Sequence, residues 1–311
     1  MNKFILHCGF PKCASTSLQN LFSSEKNNYL GFFPNSNKND NFYSVIEIGE
    51  FFEQTVRFGD TKSFDLAHNK IRKKLEVEIN SSKKTTILSN ENLLGRFIPY
   101  DLPNDIKIER LCKTLPKETE IIISTRNPED ILYSYFNMYM ANGYSGNIEY
   151  FIKEILILNK NFGMIESMRI KPIIEKFNKL RDDIKITILS LEEIKEAHKS
   201  LNRLNVIGKL EQHNSSIRYK DLSYHISINK SFFQGKKFLD WFEIHRTFPS
   251  AKIQDSEKYK LSRSRHLHEA IVQKLNLPES SNNKKIFMDK VKETVKKVAD
   301  ENKIFLKNYK V

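Results

Sequence analysis

Lys3-Phe4-Ile5-Leu6-His7-Cys8 runs straight into Gly9-Phe10-Pro11-Lys12-Cys13-Ala14-Ser15-Thr16-Ser17-Leu18, and the order of these residues decides the fold. The first part is nearly continuous in apolar residues, the pattern of a strand covered on both faces. Gly9 and Pro11 then signal a tight loop, after which Leu18, Leu21 and Phe22 fall at helical spacing. Strand, loop and helix in that order place the loop at the carboxyl end of a parallel strand. There, backbone N–H groups and the helix N-terminus point at one spot, and the hydroxyls of Ser15 and Thr16 can cap free amides or touch phosphate oxygens. The loop reads as an anion cradle. It is not a Walker A loop, GxxxxGK[ST], because counting from Gly9 the last three positions fall on Ala14, Ser15 and Thr16, and the lysine stands earlier, at Lys12.

Three more runs share the character of the first strand: Thr85 to Ser89, Glu120 to Thr125 and Lys185 to Ser190. Between them lie helical patterns, Leu66 to Ile79 with Ile71, Leu75 and Ile79 in step, and a second with Ile148, Phe151, Ile152, Ile155 and Leu156. Uninterrupted strands alternating with helices predict a doubly wound α/β fold, a central parallel sheet flanked by helices in three layers. Past residue 200 the strand signal fades. Gln212 to Phe248 is polar and aromatic without period, and helical patterns follow over about 262 to 275 and 285 to 308. The predicted organisation is therefore one domain over 1–311, with an α/β core in 1–200 and a mainly helical lobe in 201–311.

Composition narrows the function. The 311 residues carry 51 Lys and Arg against 38 Asp and Glu, a net charge of +13, which favours a polyanionic ligand such as a nucleic acid, a nucleotide or an acidic glycan. The same excess also suits basic residues that merely solvate surface helices. Aromatic and basic residues do not interleave in any known nucleic-acid motif, so nucleic acid is not among the expected partners. Cys8, Cys13 and Cys112 are odd in number and lack metal-like or disulfide-like spacing, which predicts three free thiols. No run of about 18 apolar residues occurs, and the N-terminus lacks a signal-type stretch, so the chain reads as soluble and cytoplasmic, without a transmembrane segment.

A second strand-to-helix junction carries different chemistry, Thr125-Arg126-Asn127-Pro128-Glu129-Asp130 leading to Ser134-Tyr135. Asn127 is a good N-cap, Pro128 suits the first helical position, and the two acids complement the helix end. Arg126 at the strand end and Ser134 two turns into the helix predict a converging pair for an anion beside the helix. After the Thr85 to Ser89 strand, Glu91 stands at the sheet edge where open α/β sheets bind ligands. It is placed either to act as a base or to cap a following helix. The strand ends read Ser-Asn-Glu, Ser-Thr-Arg and Ser-Leu-Glu, with no Asp for a second magnesium ligand. His7, alone in an apolar strand, reads as a core residue, with a catalytic base as the competing possibility.

At these residues a resemblance enters. Pro11-Lys12-Cys13-Ala14-Ser15-Thr16-Ser17-Leu18 resembles the 5′-phosphosulfate loop, near PKxGTTxL, of sulfotransferases that use 3′-phosphoadenosine 5′-phosphosulfate (PAPS). Arg126-x-Pro128-x5-Ser134-Tyr135 is similar to that family's 3′-phosphate motif, with its spacing intact. The departures are Ala14 for Gly and Ser15 for Thr, and Ala at 14 implies strain or a shifted turn if the loop needs positive φ there. The resemblance implies a P-loop-like fold and a donor site made by Pro11, Lys12, Cys13, Ala14, Ser15, Thr16, Ser17, Arg126 and Ser134. It further implies Lys12 and Glu91 as catalytic residues, PAPS as co-substrate, 3′-phosphoadenosine 5′-phosphate (PAP) as product, and no metal. The resemblance implies an acceptor hydroxyl on a carbohydrate or glycolipid, and the missing RKGxxGDWK-like segment, typical of the family's cytosolic small-molecule branch, tilts the acceptor away from phenols and steroids.

In the C-terminal half, Asp300-Glu301-Asn302-Lys303-Ile304-Phe305-Leu306 is similar to the closing helix of bacterial sulfotransferases. Val291, Val295, Val298, Asn302 and Phe305 share one stripe, which obliges the Asn302 amide to find partners among apolar neighbours. Asn229-Lys230-Ser231 resembles a short element that precedes the family's last helices. Arg263, Arg265, His266 and His268 either cover the nucleotide, receive an acidic acceptor, or form a solvated basic face. Two other functions fit the sequence less fully, a P-loop small-molecule kinase using ATP and magnesium, and a basic polyanion-binding module.

Overall fold

A computed structural model describes residues 3–13, 15–31, 45–97, 101–141, 148–190 and 281–309. Its centre is a five-stranded, all-parallel sheet in the order β2-β3-β1-β4-β5. The strands are β1 (Phe4–Gly9), β2 (Asn28–Tyr29), β3 (Thr86–Ser89), β4 (Glu120–Thr125) and β5 (Lys185–Ser190). Every residue of β1 and β3 is buried, as their unbroken apolar runs require. Four strands match the four runs. The fifth, β2, is only two residues long, too short to show a period, and it is held through backbone bonds from Asn28 N to Thr85 O at 2.9 Å and from Leu30 N to Ile87 O at 2.8 Å. Asn28 Nδ2 adds a 3.2 Å bond to Thr86 Oγ1.

The core of β1 contains a histidine, and the reason is local. His7 is fully buried, with its ring nitrogens 2.7 Å from Ser89 Oγ and 3.2 Å from Ser124 Oγ on the flanking strands. Burial pulls its pKa down to about 3, so the ring is neutral, with one nitrogen donating and the other accepting. His7 is a satisfied core residue, shut off from solvent, and the alternative of a catalytic base is set aside.

Helices cover the sheet. α1 (Ser15–Phe22) follows β1, and α2 (Ile46–Glu50) passes directly into a π-helical turn, Phe51–Val56. α3 (Thr61–Ser81) starts before the predicted Leu66, because Asp60 caps it by accepting from Ser63 N at 2.8 Å. Its buried face is Phe64, Ile71, Leu75 and Ile79, while Leu66 points outward, 76% exposed. α4 (Asn104–Thr114) packs against α3 and against α7 (Ile170–Leu180). The thiols of Cys8, Cys13 and Cys112 are buried and unpaired with one another. Among the described residues no helix is long and apolar enough to cross a membrane.

The chain groups into two units, one of Met1–Asn127, Gly163–Ser215 and Val298–Val311, the other of Pro128–Phe162 and Ser216–Lys297. The second contains α5 (Pro128–Ala141) and α6 (Ile148–Phe162), whose Phe136 and Phe151 rings lie 5.2 Å apart. α6 buries Phe151, Ile152, Ile155 and Leu158, and Leu156, assigned to that face by its spacing, is only half-buried. The proposed boundary at residue 200 lies outside the described residues.

The last helix, α8 (Ser281–Asn308), begins a turn earlier than its sequence pattern. Within the first unit, Asn302 Oδ1 accepts from Ile170 N and Nδ2 donates to Met168 O, each at 2.9 Å. Ile170 opens α7, whose own preceding residue, Arg169, supplies no side-chain cap. Asn302 therefore caps another helix across 132 residues of chain, which explains an amide on an apolar stripe. Replacing Asn302 with Leu leaves a buried donor and acceptor unpaired, and the expected loss is about 2 kcal/mol or more. A lowered urea midpoint at unchanged slope would register it, and a midpoint equal to that of the unaltered chain would refute it.

Candidate active site

The site is built where three strands of the first unit end. β3 and β4 flank β1 on opposite sides, so the winding of the sheet reverses at β1, and ligands of open α/β sheets bind at such a reversal. Gly9 closes β1 against β4. Its φ is +153°, and a Cβ there would stand 2.3 Å from Ser124 O, so only glycine fits. Phe10 N donates to the same carbonyl at 3.1 Å and brings the loop over the end of β4.

The loop then turns at Lys12. Pro11 and Cys13 are buried on either side of it, and the half-buried Lys12 has φ +66°. A positive φ in a residue with a side chain costs about 1 kcal/mol or more and persists only where the surroundings enforce it. A positive φ thus stands at the proposed catalytic lysine. Ala14 itself lies outside the described residues. Ser15 and Thr16 open α1, and their side chains also lie outside what is described, while Ser17 in the same turn is buried.

Glu91 arrives from β3. Asn90 N donates to His7 O at 2.9 Å, extending the β1–β3 pairing one step beyond the strand. The Asn90 side chain accepts from Asn92 N at 2.9 Å and so caps a single 3-10 turn, Glu91–Leu93, that the buried Leu93 and Leu94 pin down. Among the described residues no longer helix begins between this turn and α4, and the half-buried Glu91 is not an exposed cap. Its Oε2 is buried without a hydrogen-bond partner. Desolvation is the largest influence on the carboxyl and raises its pKa to about 7; Lys12 pulls it down, Glu53 pushes it up and Arg57 pulls it down. The two proposed catalytic residues, Lys12 and Glu91, are therefore within electrostatic reach of one another.

Behind Glu91 lies a set of charges that no motif announced. Arg57 donates to Glu53 Oε1 at 2.6 Å and to both oxygens of Asp101, at 2.5 and 3.3 Å. Asp101, 1% exposed, also accepts from Phe97 N at 3.1 Å, and its backbone carbonyl accepts from Arg96 Nε at 2.8 Å. Lys107 is wholly buried with its ammonium on Gly95 O, and burial lowers its pKa to about 8. The only trace in the sequence is the i, i+4 spacing of Glu53 and Arg57, a pattern shared with any solvated helix.

Arg126 follows the last residue of β4 and is half-buried, in the first unit. α5 starts at Pro128 with Glu129 and Asp130 in its first turn, as the sequence required, and Ser134 lies on it half-buried, in the second unit. Asn229 to Ser231 and the cluster of Arg263, Arg265, His266 and His268 lie outside the described residues. Among the described residues no group of three or more His, Cys, Asp or Glu is placed to hold a metal ion. No protein-family model matches the chain, and no curated protein matches it.

A raised carboxyl pKa makes a definite demand on stability. Between the unperturbed 4.5 and about 7 the folded protein holds a proton that the unfolded chain releases, so the Glu91 contribution is intact below 4.5 and is lost as pH rises through about 7. Glu91→Gln has no such loss. Its stability relative to the unaltered protein should rise across that window, by at most about 3 kcal/mol, and level off above it. Urea midpoints from pH 4.5 to 8 give the difference, and a difference independent of pH would show that the carboxyl is unperturbed.

Proposed function

We propose that the chain is a PAPS-dependent sulfotransferase, with a P-loop-like form of the α/β fold and a helical C-terminal lobe, acting on a saccharide hydroxyl. The observation that carries this is Lys12 within electrostatic reach of the half-buried Glu91, whose Oε2 is shut off from solvent, at the carboxyl edge of the sheet beside the loop whose sequence resembles the family's phosphosulfate loop. A carboxyl with pKa near 7 accepts a proton at neutral pH better than an ordinary glutamate, because its basicity is matched to the working range.

In the proposed reaction the acceptor oxygen attacks the sulfur in line, and the bond from sulfur to the 5′-phosphate oxygen breaks. The electron pair leaves with PAP, and the hydroxyl proton goes to a Glu91 oxygen. Lys12 stabilises the negative charge that grows on the bridging and sulfuryl oxygens. By the resemblance, residues 11–17 take the 5′ side of the donor, and Arg126 takes its 3′-phosphate. The positive net charge suits a donor and product that are both polyanions.

Calorimetric titration with PAP in EDTA, beside ATP with magnesium, tests the assignment. Metal-free binding of PAP, weakened about tenfold or more in Arg126→Ala, is the expected result. Binding of ATP with magnesium alone would make the protein a kinase, and binding of neither, with salt-sensitive capture of polyanions, would make it a basic binding module. With an acceptor in hand, kcat should climb through pH 7 or thereabouts as Glu91 loses its proton, and Glu91→Gln should bind PAP but fail to transfer.

A further inference from the structure

We propose that Glu53 is the positioning residue of Glu91, holding the turn that carries it through Asn90 while the Arg57–Asp101 pair holds Glu53. This inference rests on the reading of Glu91 as the base. The bonds form one path. Glu53 Oε2 accepts from Asn90 Nδ2 at 3.0 Å, and the other side of that same amide accepts from Asn92 N at 2.9 Å. Asn90 is 5% exposed and also tied to β1 through His7 O. Its side chain cannot rotate without breaking both bonds, so the position of Glu53 is passed to the turn that begins with Glu91.

Glu53 in turn is fixed from behind. It sits in the π-helical turn Phe51–Val56, a wide turn type found disproportionately at functional sites. Phe51, Phe52 and Val56 are buried, and Arg110 Nη1 donates to the carbonyls of Thr55 and Gly59 at 2.7 and 2.8 Å, fastening the end of the turn. Arg57 bonds Glu53 and Asp101 at once.

Bracing alone does not account for Glu53. Arg57 and Asp101 already form a two-bond pair, and Asn90 could have met any neutral acceptor. A carboxylate there adds a like charge within reach of Glu91, which favours the protonated form of the base and opposes the pull of Lys12. The charged groups bearing on Glu91 are Lys12 from the β1–α1 loop, Glu53 from the π turn and Arg57 just after that turn. Asp101, Arg96 and Lys107 stand in the next layer behind Arg57, and His7 on β1 is neutral. Glu53 thus does two things to one group: it fixes where Glu91 stands and keeps it a stronger base than Lys12 would allow.

The test measures the two effects separately. Carbon-13 NMR of the glutamate carboxyls, on the full chain, follows the titration of Glu91, assigned by its absence in Glu91→Gln. Glu53→Gln keeps an acceptor for Asn90 but removes the charge, and it should lower the Glu91 midpoint by about half a pH unit or more. Glu53→Ala and Asn90→Ala should reduce kcat roughly tenfold, with the donor KM within about twofold, and Glu53→Gln should recover part of the loss measured at the pH of its own optimum. An unmoved midpoint in Glu53→Gln, or a kcat in Glu53→Ala equal to that of the unaltered protein, would overturn the proposal. Should Glu53→Ala fail to fold, the midpoint in the nearly isosteric Gln variant decides. Absence of sulfuryl transfer by the unaltered protein would instead overturn the functional reading, leaving the coupling of the two carboxyls to the midpoint alone.

Discussion

The close approach of β1 to β4 at Gly9 is the constraint on which the site depends. With no Cβ in the way, the chain runs over Ser124 O, and Phe10 N bonds that carbonyl before the loop turns at Lys12. A side chain at position 9 would push the loop off β4 and carry Lys12 with it. The same strand fixes the other partner, because His7 O receives Asn90 N and so draws the start of the Glu91 turn alongside β1. One central strand thereby sets both members of the pair, and their relation is rigid because β1 is buried along its whole length. Catalytic geometry built on such a strand is more exact than geometry built on a free loop.

Two opposing influences meet at Glu91, and the stronger decides its state. Removing a carboxylate from water disfavours its charge, and here that outweighs the attraction of Lys12 and Arg57, so the pKa rises to about 7. Had the turn been solvated, Lys12 alone would have held the carboxylate ionised far below neutrality and made it a poor proton acceptor. Leu93 and Leu94 are buried in the same turn, Glu91 itself is half-buried, and its Oε2 is shut off from solvent. Packing and electrostatics therefore meet at this position, where one turn both enters the core and carries the perturbed carboxyl.

The sheet and most of its helices were legible because a parallel sheet covered on both faces leaves an unmistakable trace, unbroken apolar runs such as Ile121-Ile122-Ile123. The start of α5 was legible for a similar reason, since Asn-Pro-Glu-Asp has few other uses. β2 left no trace because two residues have no period, and α3 began early because its start was written in Asp60 rather than in apolar spacing. At the candidate site, the positions of Lys12 and Glu91 just past β1 and β3 could be read from the sequence. Their proximity could not, since it depends on the register of two strands separated by some eighty residues. Glu53, Arg57 and Asp101 were illegible for a deeper reason. Their positions in sequence mean nothing until the π turn and the segment after β3 are brought together, and a buried ion pair has the same composition as a surface one.

That buried cluster is also hard to justify by stability. Desolvating Arg57 and Asp101 costs several kcal/mol per ion before their attraction is counted, and apolar residues of similar volume often serve a core as well or better. What an ion pair supplies and an apolar contact does not is direction. Arg57 has a planar fork, and its bonds to Asp101 and to Glu53 fix the angle between two carboxylates. The strained backbone at Lys12 follows the same logic, for a positive φ in a residue with a side chain is a cost that favours one orientation over all others. Both costs meet at Glu91, since Lys12 and Arg57 each bear on its carboxyl. Stability given up at these residues is exchanged for orientation, which an apolar contact of the same volume would not supply.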